Sequence, residues 1–306
     1  MQLNDASIKR QNEILGRRAV IVAGATAFTL AVVKFAAGLI GGSVAVLSSA
    51  IDSMLDLLVS ALNFFAIRKS QAAPDAKFNF GYTKLEALAA MFEGVLIVGA
   101  GAFILYESVR KLQTEQAPVD TAFSLYAMAL SVAVTGLLVA YLSRVAHRTR
   151  NLIVRADALH YKSDLFSNLA VIASLILVEF TGFAAIDAVF GIVISGYIAV
   201  SAINLMKESV GVLLDKALDP EITAQIEEII RSRKQITSYH GLATRKSANV
   251  CYVAVHLVFN REISLYDAHK ISDEIEAAIR AKYGEFEWQI TTHLDPCDDQ
   301  NGSCEC

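Results

Sequence analysis

The sequence predicts an α-helical membrane protein of six transmembrane helices followed by a small cytoplasmic α+β domain of order αββαβ. Three observations carry this. The chain is 54% hydrophobic and 19% charged, below the quarter of charged residues usual in soluble domains. The deficit is uneven: residues 19–206 are mostly apolar runs, and from Asp215 onward the composition is that of a soluble domain. Lys and Arg collect in alternate loops between the runs, as the cytoplasmic side of a membrane protein requires.

A hydrocarbon core of about 30 Å takes about 20 apolar residues in helix. Six segments meet this length: Ala19–Ile40, Val44–Ile67, Leu85–Val109, Phe123–Val145, Ala156–Phe180 and Ala185–Leu205. Gly41-Gly42, Pro74, Pro118 and Gly182 mark the turns between several of them. Arg68, Lys69, Lys77 and Lys84 lie between the second and third segments, and Arg144, Arg148, Arg150 and Arg155 between the fourth and fifth. The opposite loops offer Arg110 and Lys111. Both termini are therefore expected in the cytoplasm, where free thiols are stable, and the protein in an inner membrane. Residues 1–18 are polar and carry Lys9, Arg10, Arg17 and Arg18, so the first segment is expected to remain as an anchor. The net charge of −4 offers no basic surface for nucleic acid.

After Asp219-Pro220 the period changes. Glu221–Arg233 reads as an amphipathic helix with Ile222, Ile226, Ile229 and Ile230 on one stripe. Gly241–Lys246 and Val250–Phe259 read as strands, Ser264–Tyr283 as a helix capped by Ser264, and Phe286–Leu294 as a third strand. The expected domains are residues 1–214 in the membrane, 215–296 in the cytoplasm, and a Cys-containing tail, 297–306.

Ionisable groups deep in a span are costly and point to function. The second span carries Asp52 and Asp56; the fifth carries His160 and Asp164. Each pair is spaced i, i+4, which places both members on one helix face. Facing each other, the helices would offer three carboxylates and one imidazole. Three carboxylates in a low-dielectric site cannot all stay ionised without a cation. A tetrahedral divalent ion resolves this, and the oxygen-rich donor set with one nitrogen suits zinc or a neighbouring metal. Of the other intramembrane acids, Glu93 is deep enough to line an ion path. Glu86 is expected to pair with a lysine near the cytoplasmic end, and Asp157 to sit at the cytoplasmic mouth. Glu107, Glu179 and Asp187 lie near span ends, where solvated headgroups accommodate them. Four of the six histidines fall in the tail: His240, His256, His269 and His293, followed by Asp295. Imidazole is the commonest metal ligand, so this cluster predicts a second metal site. Cys251 is expected in a strand core, and Cys297, Cys304 and Cys306 form a terminal group able to capture a soft metal or to stand as incidental thiols.

Four motifs carry a resemblance that covers nearly the whole chain: Leu47-Ser48-Ser49-Ala50-Ile51-Asp52-Ser53-Met54-Leu55-Asp56, Phe80-Gly81-Tyr82-Thr83-Lys84-Leu85-Glu86-Ala87-Leu88, Arg155-Ala156-Asp157-Ala158-Leu159-His160-Tyr161-Lys162-Ser163-Asp164, and Thr292-His293-Leu294-Asp295-Pro296-Cys297. The chain resembles the cation diffusion facilitator family of metal transporters, in its bacterial zinc and iron/zinc branch. The resemblance implies a homodimer that exchanges a cytoplasmic divalent cation for protons. It assigns the transport site to Asp52, Asp56, His160 and Asp164, a set associated with zinc and cadmium. It assigns a binuclear cytoplasmic site at the dimer interface to His240, His256, His269, His293 and Asp295, and an interdomain salt bridge near that interface to Lys84 and Asp215. Two departures follow. Where some relatives carry a loop site around an Asp and histidines, Asp75 here is accompanied by Phe78 and Tyr82, so that site is expected to be absent or weak. Where a Gln oxygen often stands between the last His and Asp, this chain has Leu294.

The residues and the resemblance together predict a divalent cation efflux transporter, with zinc as substrate and as structural ligand of the tail, and with cadmium or iron as further substrates. Transport should be proton-coupled at the same four groups, because metal ligands must be deprotonated and so compete with protons. The alternatives are a membrane metal sensor, or a facilitator for manganese or iron. An enzyme is not expected: no His-Glu-x-x-His or nucleophile arrangement is present.

Overall fold

The computed structural model describes residues 2–41, 44–113, 121–181, 185–284 and 286–297. It divides into two compact units, one of residues 10–210 and one of residues 211 onward together with those before Arg10. The first is helical. Its elements are α1 (Gln2–Gly41), α2 (Val44–Ser70), α3 (Leu85–Gln113), α4 (Thr121–Thr149), α5 (Leu152–Thr181) and α6 (Ala185–Leu213). Among the described residues, three stretches are long and apolar enough to cross a membrane: Arg10–Val33, Leu85–Arg110 and Ala188–Leu213. α2, α4 and α5 are as long.

The unit turns large apolar side chains outward and buries several polar ones. Phe65, Phe103, Leu137 and Val193 are exposed, while Asn63, Glu93 and Asp157 are buried. A protein surrounded by lipid satisfies its polar groups internally and turns its large apolar side chains outward. The interior is sealed by small and aliphatic residues: Ala19, Ala23, Ile67, Leu142, Ile153 and Ala158 belong to one buried cluster. α5 is its centre, packing on α4, α3 and α2.

The second unit contains α7 (Pro220–Arg231), β1 (Ile236–Ser247), β2 (Val250–Phe259), α8 (Leu265–Lys282) and β3 (Glu287–Asp295). Pro220 opens α7, where its missing N–H costs nothing. Ser264 caps α8, its Oγ accepting from the Asp267 N–H at 3.0 Å. The sheet order is β1-β2-β3, with β1 antiparallel and β3 parallel to β2. A parallel neighbour requires a crossover connection, which α8 supplies. Ile226 and Ile230 of α7, Leu257 of β2, and Ile275 and Ile279 of α8 are fully buried in the core between helices and sheet. Burying each such side chain stabilises the domain by about 1.5–3 kcal/mol. Cys251 is in this core, as the strand alternation predicts.

Candidate metal centre

In the helical unit the two helices that carry the i, i+4 pairs meet. His160 Nε2 of α5 lies 3.0 Å from Asp56 Oδ1 of α2 and 3.8 Å from Asp164 Oδ2 one turn along its own helix. One donor atom from each of the three lies within 4.8 Å of the others, the spacing of ligands around a shared cation. Asp52 is one turn before Asp56 on α2, and its side chain lies outside the described residues. Tyr161, next to the histidine, anchors this part of α5: its Oη is 3.5 Å from Ser60 Oγ of α2 and donates to the Ala23 carbonyl of α1 at 3.4 Å.

Two turns beyond Asp56 on α2, Asn63 makes a second polar junction. Its Nδ2 donates to Glu93 Oε2 of α3 and to Asp157 Oδ1 of α5, both at 2.8 Å. Asp157 is 1% exposed, so it is not at a solvated mouth as its place in the sequence suggests. Asn63 holds it within the helix packing. Glu86 likewise departs from expectation: it is buried and accepts from Ser70 Oγ at 3.2 Å rather than from a lysine. Asn63 went unnoticed in the sequence. Its signal is an amide within an apolar run, seven residues after Asp56 and so on the same helix face. The side chains of Glu179 and Asp187 lie outside the described residues.

In the cytoplasmic unit the ladder register does the assembling. His240, His256 and His293 stand opposite one another across β1, β2 and β3. Their rings form a row, with centroids 4.7 Å apart for His240 and His256 and 4.8 Å for His256 and His293. Asp295 reaches all three. Its Oδ2 lies 2.8 Å from His256 Nδ1 and 3.4 Å from His240 Nε2, and its Oδ1 lies 3.0 Å from His293 Nε2. His240, His256 and Asp295 have donors spaced for a metal ion. Gly241 permits this packing. It sits at φ 62° beside a register shift in β1, and a Cβ there would come within 3.1 Å of the His256 ring. Leu294 packs against the apolar core. His269 is elsewhere: it is exposed on α8, with its Nε2 3.7 Å from Asp273 Oδ2.

The loop between α2 and α3 uses its acid differently. Asp75 accepts from the Lys77 and Phe78 N–H groups at 2.9 Å and from Tyr82 Oη at 2.5 Å. The Tyr82 hydroxyl, followed by those amides, holds its carboxyl below the usual carboxylate range. These bonds tie the carboxylate to the turn. Asp215, at φ 57°, pairs with Arg245 Nη1 at 2.9 Å. Lys84 directly precedes α3. Cys251 is a free thiol, whereas Cys297 is disulfide-bonded, contrary to the expectation of free thiols throughout. Cys304 and Cys306 lie outside the described residues.

A helical membrane unit with an internal cluster of carboxylates and imidazole, joined to a small sheet domain, defines a membrane transport protein. The family model for the cation efflux transmembrane domain matches residues 20–214, and that for the cation efflux protein cytoplasmic domain matches residues 218–297. The chain belongs to the cation efflux family, the cation diffusion facilitators, and is a multi-pass inner-membrane protein with a dimerisation domain. Protein p34 of Rickettsia prowazekii is 34% identical over 271 residues, 89% of each chain. The cation-efflux pump FieF of Shigella boydii is 32% identical over 289 residues, 94% of this chain and 95% of the relative. FieF of Shewanella oneidensis is 32% identical over 272 residues, 89% of this chain and 91% of the relative. Among solved structures, CzrB in its Zn form is 29% identical with a TM-score of 0.24, covering 30% of this chain and 99% of that one.

Proposed function

We propose that the chain exports zinc from the cytoplasm through six spans in exchange for protons, using Asp52, Asp56, His160 and Asp164 as the transport site. Membership of the cation efflux family makes the activity divalent cation efflux. The observation that carries the site assignment is His160 between Asp56 and Asp164, with donors from two helices within 4.8 Å. A nitrogen and carboxylate oxygens at this spacing suit zinc, with cadmium or iron as further substrates. The pathway needs no nucleotide: metal displaces protons from the groups on loading, and protons displace metal on release.

The cytoplasmic row of His240, His256 and His293 on Asp295 supports a second, structural zinc site that stabilises a homodimer. His269, exposed on α8, would complete that site from the other protomer. Lys84 and Asp215 would serve as an interdomain salt bridge near the dimer interface. Both termini face the cytoplasm, in line with the one-sided Lys and Arg, and protease accessibility of the C-terminus in inside-out but not right-side-out vesicles checks this. The test of function is metal flux in proteoliposomes across several divalent metals with an imposed pH gradient. Zinc flux driven by the gradient is expected. Flux indifferent to a gradient of either sign leaves facilitated diffusion in place of exchange.

A further inference from the structure

We propose that Asn63, Glu93 and Asp157 form a proton-binding site separate from the metal ligands, in which the two carboxyl groups share one proton. The three residues come from α2, α3 and α5, and they are 3%, 1% and 1% exposed. One amide nitrogen bridges both carboxyls at 2.8 Å. Because Nδ2 donates a hydrogen to each, the amide points positive charge into the gap between them. A metal ion there would meet those hydrogens; a proton on an outer oxygen meets no such conflict. Glu93 Oε1 and Asp157 Oδ2, the two oxygens turned away from the amide, have no hydrogen-bond partner although both are buried. A buried orphaned acceptor is costly, and a carboxyl O–H is the form that lessens the charge around it. The two groups also act on each other directly. Two carboxylates sharing a dry pocket cannot both ionise, which leaves one proton between them.

Among the described residues, the group acting on the pair that can carry positive charge is His160, and it is already shared between Asp56 and Asp164. The titratable groups facing the pair are His160 and Tyr161, both further along α5. α2 contributes Asn63, α3 contributes Glu93, and α4 meets α5 through apolar side chains such as Leu138 and Leu142. α1 contributes the Ala23 carbonyl, which Tyr161 uses. His160 couples the pair to transport. In the metal-free protein it lies against Asp56 and Asp164. A divalent ion at those residues places two positive charges one helix turn from Asp157. The O–H bond of the shared carboxyl then breaks, the proton passes to water, and the pair goes from one negative charge to two. Metal release reverses the step. The site therefore adds a second proton to the exchange, on the reading of Asp56, His160 and Asp164 as the transport site.

The experiment uses the full-length purified chain with zinc as the added metal. Infrared difference spectra of the wild type, without and with zinc, should show a protonated-carboxyl band lost on zinc addition. Glu93→Gln and Asp157→Asn should each remove that band while zinc still binds. In proteoliposomes, protons released per zinc transported should fall by about one in Glu93→Gln, with zinc flux slowed but present. A merely structural role would lower flux and leave the proton count unchanged, which overturns the proposal. Absence of a protonated-carboxyl band in the metal-free wild type overturns it as well, and that arm needs neither variant nor transport. Zinc binding that survives Asp56→Ala but is lost in Glu93→Gln identifies a metal site instead. If wild-type protein moves no zinc yet shows the protonated-carboxyl band that Glu93→Gln and Asp157→Asn each remove, the transport reading fails and the proton site stands.

Discussion

The two donor clusters are built by opposite means. The cytoplasmic row rests on a hydrogen-bonded ladder: His240, His256 and His293 are registered by strands, and their shared partner Asp295 is two residues from His293. To separate these groups the sheet itself must open. In the membrane unit, Asp56 and His160 are 104 residues apart and sit on different helices with no backbone bonds between them. Side-chain packing and side-chain contacts from Asn63, Ser60 and Asp56 hold α2 against α5. A slide or tilt of one helix would therefore change the intramembrane site without breaking secondary structure, whereas the tail site is fixed. Helix shifts of this kind are common in switching proteins. That contrast would suit the proposed transport site, which has to load and unload, and the proposed structural site in the cytoplasmic domain.

The largest effect expected from this contrast is at Asp56. Asp56→Ala removes a donor from a set with no rigid frame to hold the remainder. Zinc flux should drop at least about 100-fold, beyond the range seen when mere supporting partners of ligands are lost, with membrane insertion and dimerisation intact. Flux at wild-type level in purified Asp56→Ala would sink the transport-site assignment and erase the contrast. His160→Asp should keep part of the flux and move its pH profile to the acid side, because a carboxylate binds protons less tightly than an imidazole.

Asp295→Ala comes next. It removes the group that three histidines share, so zinc-dependent stabilisation of the full-length dimer should disappear while transport continues at a higher metal requirement. A ligand at about 100 times its Kd stabilises by about 2.7 kcal/mol, which sets the size of the loss. The wild-type gain itself should shrink on acidification, since a ligating imidazole must be deprotonated. Thermal melts with and without zinc at two pH values read both effects. If the melting temperature responds to zinc equally in wild type and variant, the tail site is not where the metal stabilises the protein.

Much of this was legible in sequence because the patterns are local. Val44, Leu85 and Ala185 begin α2, α3 and α6 where the apolar runs begin, and β2 spans Val250–Phe259 as its alternation indicates. β1 starts earlier than expected, at Ile236. Gly241 at positive φ and the register shift beside it break the period-two pattern, so the first half of the strand does not alternate. The i, i+4 pairs marked Asp56, His160 and Asp164, but spacing along one helix says nothing of which residues on other helices complete a junction. Asn63 was therefore silent, and Asp157 was misplaced. His269 shows the converse: sequence proximity to other histidines grouped it with them, and the crossover helix carries it away within the chain.

Gly241→Ala sharpens the comparison from the rigid side, with a smaller effect. The new Cβ would sit 3.1 Å from the His256 ring, and a side chain at φ 62° is strained by about 1–2 kcal/mol. The tail should lose stability by about that amount in denaturant unfolding and bind zinc more weakly, with zinc flux nearly unchanged. A variant that unfolds as the wild type does would mean that the bulge relaxes freely and the ladder is not the frame of the site.

The smallest effect belongs to the loop before α3, where an acid lies outside both clusters. Asp75 is held below the usual carboxylate range, first by the Tyr82 hydroxyl and then by the Phe78 and Lys77 amides. A folded-state value depressed in this way contributes stability to the turn at neutral pH. That contribution is lost as pH falls from the usual carboxylate range through the depressed value. Tyr82→Phe removes the strongest of those bonds, so the acid limb of the loop's ordering should move up in pH, as followed by amide exchange at Phe78 and Gly81. The Lys69 ammonium, now 3.8 Å from the centre of the Tyr82 ring, keeps its aromatic partner in the variant. If Asp75 only shapes a turn, zinc flux and affinity in Tyr82→Phe and in Asp75→Asn should stay within about twofold of wild type, as for surface changes away from a site. A tenfold loss of zinc affinity in Asp75→Asn that Tyr82→Phe does not share would make the carboxylate a metal ligand in its own right. The molecule would then have a third cluster, despite the phenylalanine and tyrosine beside it.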